Sequence, residues 1–378
     1  MIFSVRPVIS YQALALDATP SQLGLIVASY SVISLGACIP LGRAIDRRGE
    51  RPFLLAGSLL LLPALVLLLV AQSQAWLALA SATLGLAQLL VIVASQTVIA
   101  RGVNAERRDS RFATFTLLTS MTMFAAPAVA GVLISSGTGH DAGQLRVVYA
   151  LGLVLAGLSS VVSLSLVRSP GALANRPPTV AEGGRAVLAE VLGSRSVTTA
   201  IVVGFAVLSA ADLLVAFMPA IGQLHGLSAR QVGFLIAAHG LASVVVRLVL
   251  VRLLRRFDRR TLLTVCLGLA AVSLSCVPFV SSVPGLYLLM VGSGIGIGLC
   301  QPIAIGWVAG AVRPNVRGTA MSVRMVGNRL GQTIMPLGVA ALSSAAGAAA
   351  AFIAPAALLA ASGVMVHHWR IAGESDPE

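Results

Sequence analysis

The chain has no lysine at all, and acidic residues number only 13 in 378 positions. Charged residues make up 10% of it, against about a quarter in soluble globular domains, so a water-facing surface of ordinary composition cannot be assembled from them. The four cysteines, Cys38, Cys266, Cys276 and Cys300, lie in apolar stretches without C-x-x-C spacing, which argues against a disulfide framework or a thiolate metal centre. The start lacks a basic region followed by a small-residue cleavage site, so it does not read as a signal peptide. Phosphate loop, nucleophile elbow and metal-ligand spacings are missing too, and the five histidines are scattered, with His367 and His368 at the end of an apolar run. Enzyme chemistry and an ATP-driven pump therefore have little support, and no cofactor is expected.

What the chain does have is hydrophobicity: 57% apolar residues and a mean hydropathy of +0.94. A membrane span needs roughly 20 apolar residues. Polar gaps divide the sequence into runs of about that length at 1–16, 22–42, 52–71, 76–99, 112–136, 147–167, 198–220, 231–251, 261–281, 286–311, 319–342 and 348–367. An all-α membrane protein of twelve transmembrane helices follows, with no room for a separate soluble domain. The first run, at 1.5 Å per residue, reaches only about 24 Å, so the first helix is expected to be short. Trp76 and Trp369 suit the membrane interface.

All 26 basic residues are arginines, and the net charge is +13. With the first turn, near Asp17, taken as external, only Arg146 and Arg230 fall outside and only Arg6, Arg247, Arg324 and Arg329 fall within spans. The rest cluster on the opposite face. By the positive-inside rule both termini are cytoplasmic, and the basic excess reflects orientation and anionic lipid headgroups, with no nucleic acid implied.

Between the second and third spans stands Gly42–Arg51, a dense charge cluster expected to form a tight turn. Its pattern G-x-x-x-D-R-x-G-x-R, carried by Gly42, Asp46, Arg47, Gly49 and Arg51, resembles the loop signature of the major facilitator superfamily of secondary transporters. Glu50 departs from it, at a place where that family more often has a basic residue. The resemblance implies a cytoplasmic gate latch, with Asp46 facing Gly318–Ser322 and with Arg47 and Arg51 near Glu106 or Asp109.

A shift of 209 residues lays the chain on itself. Gln22 meets Gln231, Gly24 meets Gly233, Gly85 meets Gly294, Pro127 meets Pro336, and loop arginines 43, 47, 51 and 108 meet 252, 256, 260 and 317. Two like-oriented halves, 1–167 and 198–378, are the parallel repeat of that superfamily, two pseudo-symmetric six-helix bundles. They are joined by the long connection 168–197, whose stretch 182–192 can form an amphipathic surface helix or remain a linker. The second copy of the charge cluster is degraded: Arg255 stands for Asp46, and Val251 and Asp258 stand for the glycines.

Ionised groups at mid-membrane cost about 3 kcal/mol on insertion scales, so each is a functional candidate. Asp212 is the single acid inside a span. Because the first and seventh helices line the central cavity in the resembled family, Asp212 and Arg6 are candidate proton-coupling partners, or alternatively a permanent ion pair. In the eleventh span, Arg329, Asn328 and Arg324 are candidate substrate-binding residues, with Arg324 also placed to serve the inner gate. Gly327 and Gly331 there make a G-x-x-x-G packing face. Arg247 is read as snorkelling to the headgroups. Pro127 and Gly131 resemble a weakened antiporter signature, with helix packing as the alternative, and Gly292, Gly294, Gly296 and Gly298 read as packing or as a hinge. Gln88, Gln96, His239 and Gln301 are further polar residues within spans. The expectation is a monomeric, multi-pass carrier of the inner (plasma) membrane that moves a small organic solute by alternating access. It would be driven by protons, in the direction of efflux; uptake of an organic anion and a non-transporting sensor are the alternatives.

Overall fold

The computed structural model describes residues 2–101, 105–134, 142–168, 193, 195–311 and 317–368. Among these are twelve long helices: α1 (Ile2–Ala15), α2 (Pro20–Arg48), α3 (Arg51–Val70), α4 (Gln74–Arg101), α5 (Ala105–Ile134), α6 (Ala142–Arg168), α7 (Arg195–Leu224), α8 (Ala229–Arg256), α9 (Arg259–Cys276), α10 (Val283–Ala311), α11 (Arg317–Ala346) and α12 (Ala350–His368). Among the described residues nine helices are long and apolar enough to cross a membrane; α1, at 14 residues, is short as expected. Most of the connection 168–197, including its anticipated amphipathic stretch, and Trp369 lie outside the described residues.

The boundaries differ from the sequence reading at one instructive place. Gly42–Arg51 was expected to be a turn, yet α2 continues through Arg48 and the turn is reduced to Gly49 and Glu50. Leu41 and Ile45 supply the reason: both are buried against Leu89 of α4, beside Cys38 and Phe53, so extending the helix covers apolar surface. Gly49, at φ +80°, then ends it in a conformation that a side chain would strain. At the equivalent place in the second copy Asp258 has φ −64° and caps α9 through its side chain, so no glycine is required there.

The duplication extends to individual contacts. Thr19 and Gln22 form a reciprocal capping box at the start of α2, and Ser228 and Gln231, each 209 residues on, repeat it at α8. The preceding turns match as well: Asp17 (φ 54°) corresponds to Gly226 (φ 67°), and the hydrogen bond from Ala18 N–H to Ala13 O corresponds to that from Leu227 to Gly222. A β-carbon on Gly85 would collide with the Tyr30 carbonyl, and one on Gly294 with that of His239, the residue equivalent to Tyr30. Gly24 of α2 lies against the Pro336 carbonyl and Ala340 of α11, where an added β-carbon would come within 3.0 Å and 2.9 Å. Gly233 of α8 lies against the Pro127 carbonyl and Gly131 of α5, at 2.6 Å and 2.9 Å. Those two contacts exchange under the same 209-residue shift, so position i of one copy touches j of the other and the reverse, as a pseudo-twofold axis demands.

Two compact units result. The first comprises Met1–Thr179 with Ala216–Ala237 and Pro336–Ala345; the second comprises Val180–Val215, Ala238–Met335 and Ala346–Glu378. The first unit therefore gathers α1–α6 together with the end of α7, the start of α8 that adjoins Gly131 and the end of α11 that adjoins Gly24. Within it α4 packs on α2 and α3, and α3 on α6; in the second, α9 packs on α10 and α12. Leu151, Val154, Leu158, Val161 and Val162 leave an exposed apolar stripe on α6, the surface expected of a helix whose solvent is lipid.

Candidate functional site

In the second unit, small residues bring α7 and α11 close together. A β-carbon on Gly327 would strike Ile201, one on Gly331 would meet Ser209 Oγ at 2.5 Å and the Phe205 carbonyl at 2.7 Å, and one on Gly204 would strike the Asn328 amide oxygen. This approach, the packing use of the G-x-x-x-G face, carries Asp212 to α11. There Gln332 Nε2 donates to Asp212 Oδ2 at 2.6 Å, while Arg329 Nη1 donates to Gln332 Oε1 at 2.9 Å. A carboxylate only accepts and a guanidinium only donates, so the amide between them has one workable orientation. Acid, amide and guanidinium form one polarised chain. The sequence reading passed over Gln332 as a member, although its place three residues after Arg329 puts the two on one helical face. Arg6, in the first unit, lies with its guanidinium 4.8 Å from the centre of the Tyr30 ring.

One to two turns earlier on α11, Arg324 is 6% exposed and donates to Gln301 Oε1 of α10 at 3.4 Å, the long end for such a bond. Arg324 Nε, Gln301 Nε2 and Asn328 Oδ1 are all buried without a hydrogen-bond partner among the described residues.

A third polar line runs down α8, where His239, Ser243 and Arg247 repeat every four residues and face α10. His239 Nδ1 is paired with Ser293 Oγ at 2.9 Å; Ser243 sits on Gly298; Arg247 Nε donates to the Gly298 carbonyl at 3.0 Å. That last bond has a covalent cause. Residue 302 is proline, so the Gly298 carbonyl lacks its usual i+4 donor, and Arg247 supplies one from the neighbouring helix. The glycine series of α10 serves both flanks: Gly294 and Gly298 face α8, while Gly292 and Gly296 face Ser273, Cys266 and Ala270 of α9.

For the charge cluster, the side chains of Gly42, Asp46 and Arg47, and those of Glu106, Asp109 and Gly318–Ser322 to which a latch would attach, lie outside the described residues. Glu50, the departure from the resembled pattern, is 3% exposed, and both it and Arg51 are engaged. At the far end of the first unit a cavity of about 220 Å³ lies beside Gln12, Arg146 and Tyr149. Gln12 there donates to the Leu68 and Ala71 carbonyls and accepts from the Tyr149 hydroxyl, closing the open end of α3.

Apolar helices that enclose hydrogen-bonded charges within membrane depth define a polytopic membrane protein with a polar interior. The chain belongs to the major facilitator superfamily, whose model matches residues 1–228 and again 200–378. The solved structure of a D-xylose-proton symporter covers 98% of this chain and 94% of its own, with a TM-score of 0.77 at 14% identity, a likeness of fold alone. No curated protein sequence matches the chain. It is a multi-pass secondary transporter of twelve helices in two pseudo-symmetric sets of six.

Proposed function

We propose that this transporter moves a small organic solute by alternating access and couples the movement to protons at Asp212, in the direction of efflux. The observation that carries the proposal is the Asp212–Gln332–Arg329 chain. A proton on Asp212 Oδ2 converts an acceptor into a donor. Gln332 Nε2 then loses its partner, the amide turns or withdraws, and the arginine at the far end is released. Hydrogen bonds to charged groups are worth about 1.5–3 kcal/mol. A transmembrane potential supplies about 2.3 kcal/mol per charge per 100 mV, so one proton has the scale needed to bias two states.

Efflux is supported by the tight glycine contacts of α2 with α11 and of α5 with α8. They join helix ends on the face that Arg146 and Arg230 mark as external, so this conformation is closed at those contacts. The weakened antiporter signature at Pro127 and Gly131 is part of this contact, so its packing role and its directional role are one. Both termini are placed in the cytoplasm, the protein in the plasma membrane as a monomer, and the Asp46, Arg47 and Arg51 cluster is assigned to the opposite, inner gate.

The test is Asp212→Asn in proteoliposomes under a pH jump, with solute exchange at equal pH measured in parallel. Proton-driven flux is expected to fall at least tenfold while exchange persists, because the amide keeps the size of the acid and leaves the fold intact. Full coupling in the variant would reduce the chain of hydrogen bonds to a structural neutralisation of two charges.

A further inference from the structure

We infer that Arg324 and Gln301 form a seat for an oxyanion, and that the transported solute is an organic anion bound there through its carboxylate or phosphate. The inference rests on the transport reading above and names its substrate class. Arg324 is 6% exposed, and among the described residues its acceptor is the Gln301 carbonyl oxygen at 3.4 Å. Since a guanidinium cannot accept, it fixes the amide with Oε1 toward itself and so turns Nε2 into a donor. Both that Nε2 and Arg324 Nε are buried and without partners. One positive charge and two N–H donors are thus buried on adjacent side chains without acceptors among the described residues. Nε lies on an edge of the guanidinium that binds carboxylate and phosphate in a two-pronged manner. Asn328 Oδ1, one turn further along α11, is turned instead to Gly204 of α7 and belongs to the helix contact.

The internal duplication says that the fold does not need these groups. The capping boxes, the Gly24/Gly233 and Gly85/Gly294 contacts and the Pro127/Pro336 pair are held between the two copies. At the positions 209 residues earlier, Arg324, Gln301 and Asn328 are instead Phe115, Ile92 and Thr119. A buried arginine where the other copy has phenylalanine, its Nε without an acceptor among the described residues, is there for something that enters.

An oxyanion can come from a free solute or from a phospholipid headgroup, and the experiment separates them. The full chain, purified in neutral detergent at constant ionic strength, is heated with acetate, benzoate, inorganic phosphate, or benzamide as the uncharged control. At ten times its dissociation constant a ligand should raise the unfolding midpoint by about 2 °C. At least one of the three anions is expected to do so and benzamide is not. Arg324→Gln should abolish the shift, Gln301→Leu should weaken binding about tenfold, and Arg324→Lys should retain part of it, showing that charge and not folding is being read. No shift from any anion, or an equal shift in Arg324→Gln, overturns the seat. Repeating the series in phosphatidylcholine bilayers with and without phosphatidylglycerol distinguishes the sources. If the anionic lipid removes the effect, the occupant is a headgroup and the solute assignment is overturned. If the effect survives, counterflow of the binding anion at equal pH should be seen in wild type and lost in Arg324→Gln. Because that counterflow needs no proton gradient, its failure is separate from any failure of coupling at Asp212.

Discussion

Arg247 and Pro302 offer a sharp test of how this bundle satisfies its backbone. The proline removes the N–H that would have bonded the Gly298 carbonyl, and the arginine of α8 replaces it at 3.0 Å. In Arg247→Leu the carbonyl is left without either donor. A buried backbone acceptor abandoned in this way costs about 1–3 kcal/mol, and interhelical hydrogen bonds within membranes average about 0.6 kcal/mol, which sets the lower bound. Pro302→Ala restores the local N–H, so the arginine becomes dispensable for this carbonyl. The double variant should therefore be more stable than the sum of the single effects predicts, by about 0.6–2 kcal/mol. The assay is a double-mutant cycle of unfolding in detergent, read by helical circular dichroism and, in the Pro302→Ala variants, by exchange of the new amide at position 302. Strict additivity, with that amide exchanging equally with and without Arg247, would show that the two residues do not share this carbonyl.

Three other expectations follow from the same contacts. Gly24→Val and Gly233→Val should have matching effects: each forces a side chain into a carbonyl, parts α2 from α11 or α5 from α8, and raises labelling of cysteines introduced near Ser21 or Arg230; an effect at only one of the two would contradict the pseudo-twofold relation. Asp258→Ala should cost about 1 kcal/mol as a lost helix cap, measured by unfolding. The hydrogen bond from the Thr261 backbone N–H, aided by its side chain, holds the Asp258 carboxyl below the usual carboxylate range. Its contribution is accordingly present above the unfolded value near 4, is lost as pH falls through the lower folded value, and is small because the group faces water. Gly49→Ala should destabilise the α2–α3 turn through its positive φ, whereas Asp258→Gly, at the equivalent place, should cost only a few tenths of a kcal/mol, since glycine is an acceptable cap.

Much of the fold was legible because lipid is a uniform solvent: every span must be apolar and about as long as the membrane is thick, and hydropathy records both. The duplication was legible for a related reason. The matching residues, Gln22 with Gln231, Gly24 with Gly233, Gly85 with Gly294 and Pro127 with Pro336, prove to be those with backbone duties, where few residue types serve. The end of α2 was misjudged because charge marks a membrane face without saying whether the backbone there is helix or turn; buried Ile45 decided it.

Within the site, the rarity of Asp212, Arg324 and Arg329 in an apolar chain was enough to single them out, since an ion at that depth is costly wherever it points. Direction was another matter. That Gln332 joins Asp212 to Arg329, that Gln301 turns its carbonyl to Arg324, and that Arg247 serves a proline on another helix depend on the rotation of α7, α8, α10 and α11 about their own axes. Composition and spacing along one chain do not contain those rotations. They arise from which glycines of one helix meet which ridges of the next, and only the packed molecule brings those surfaces together.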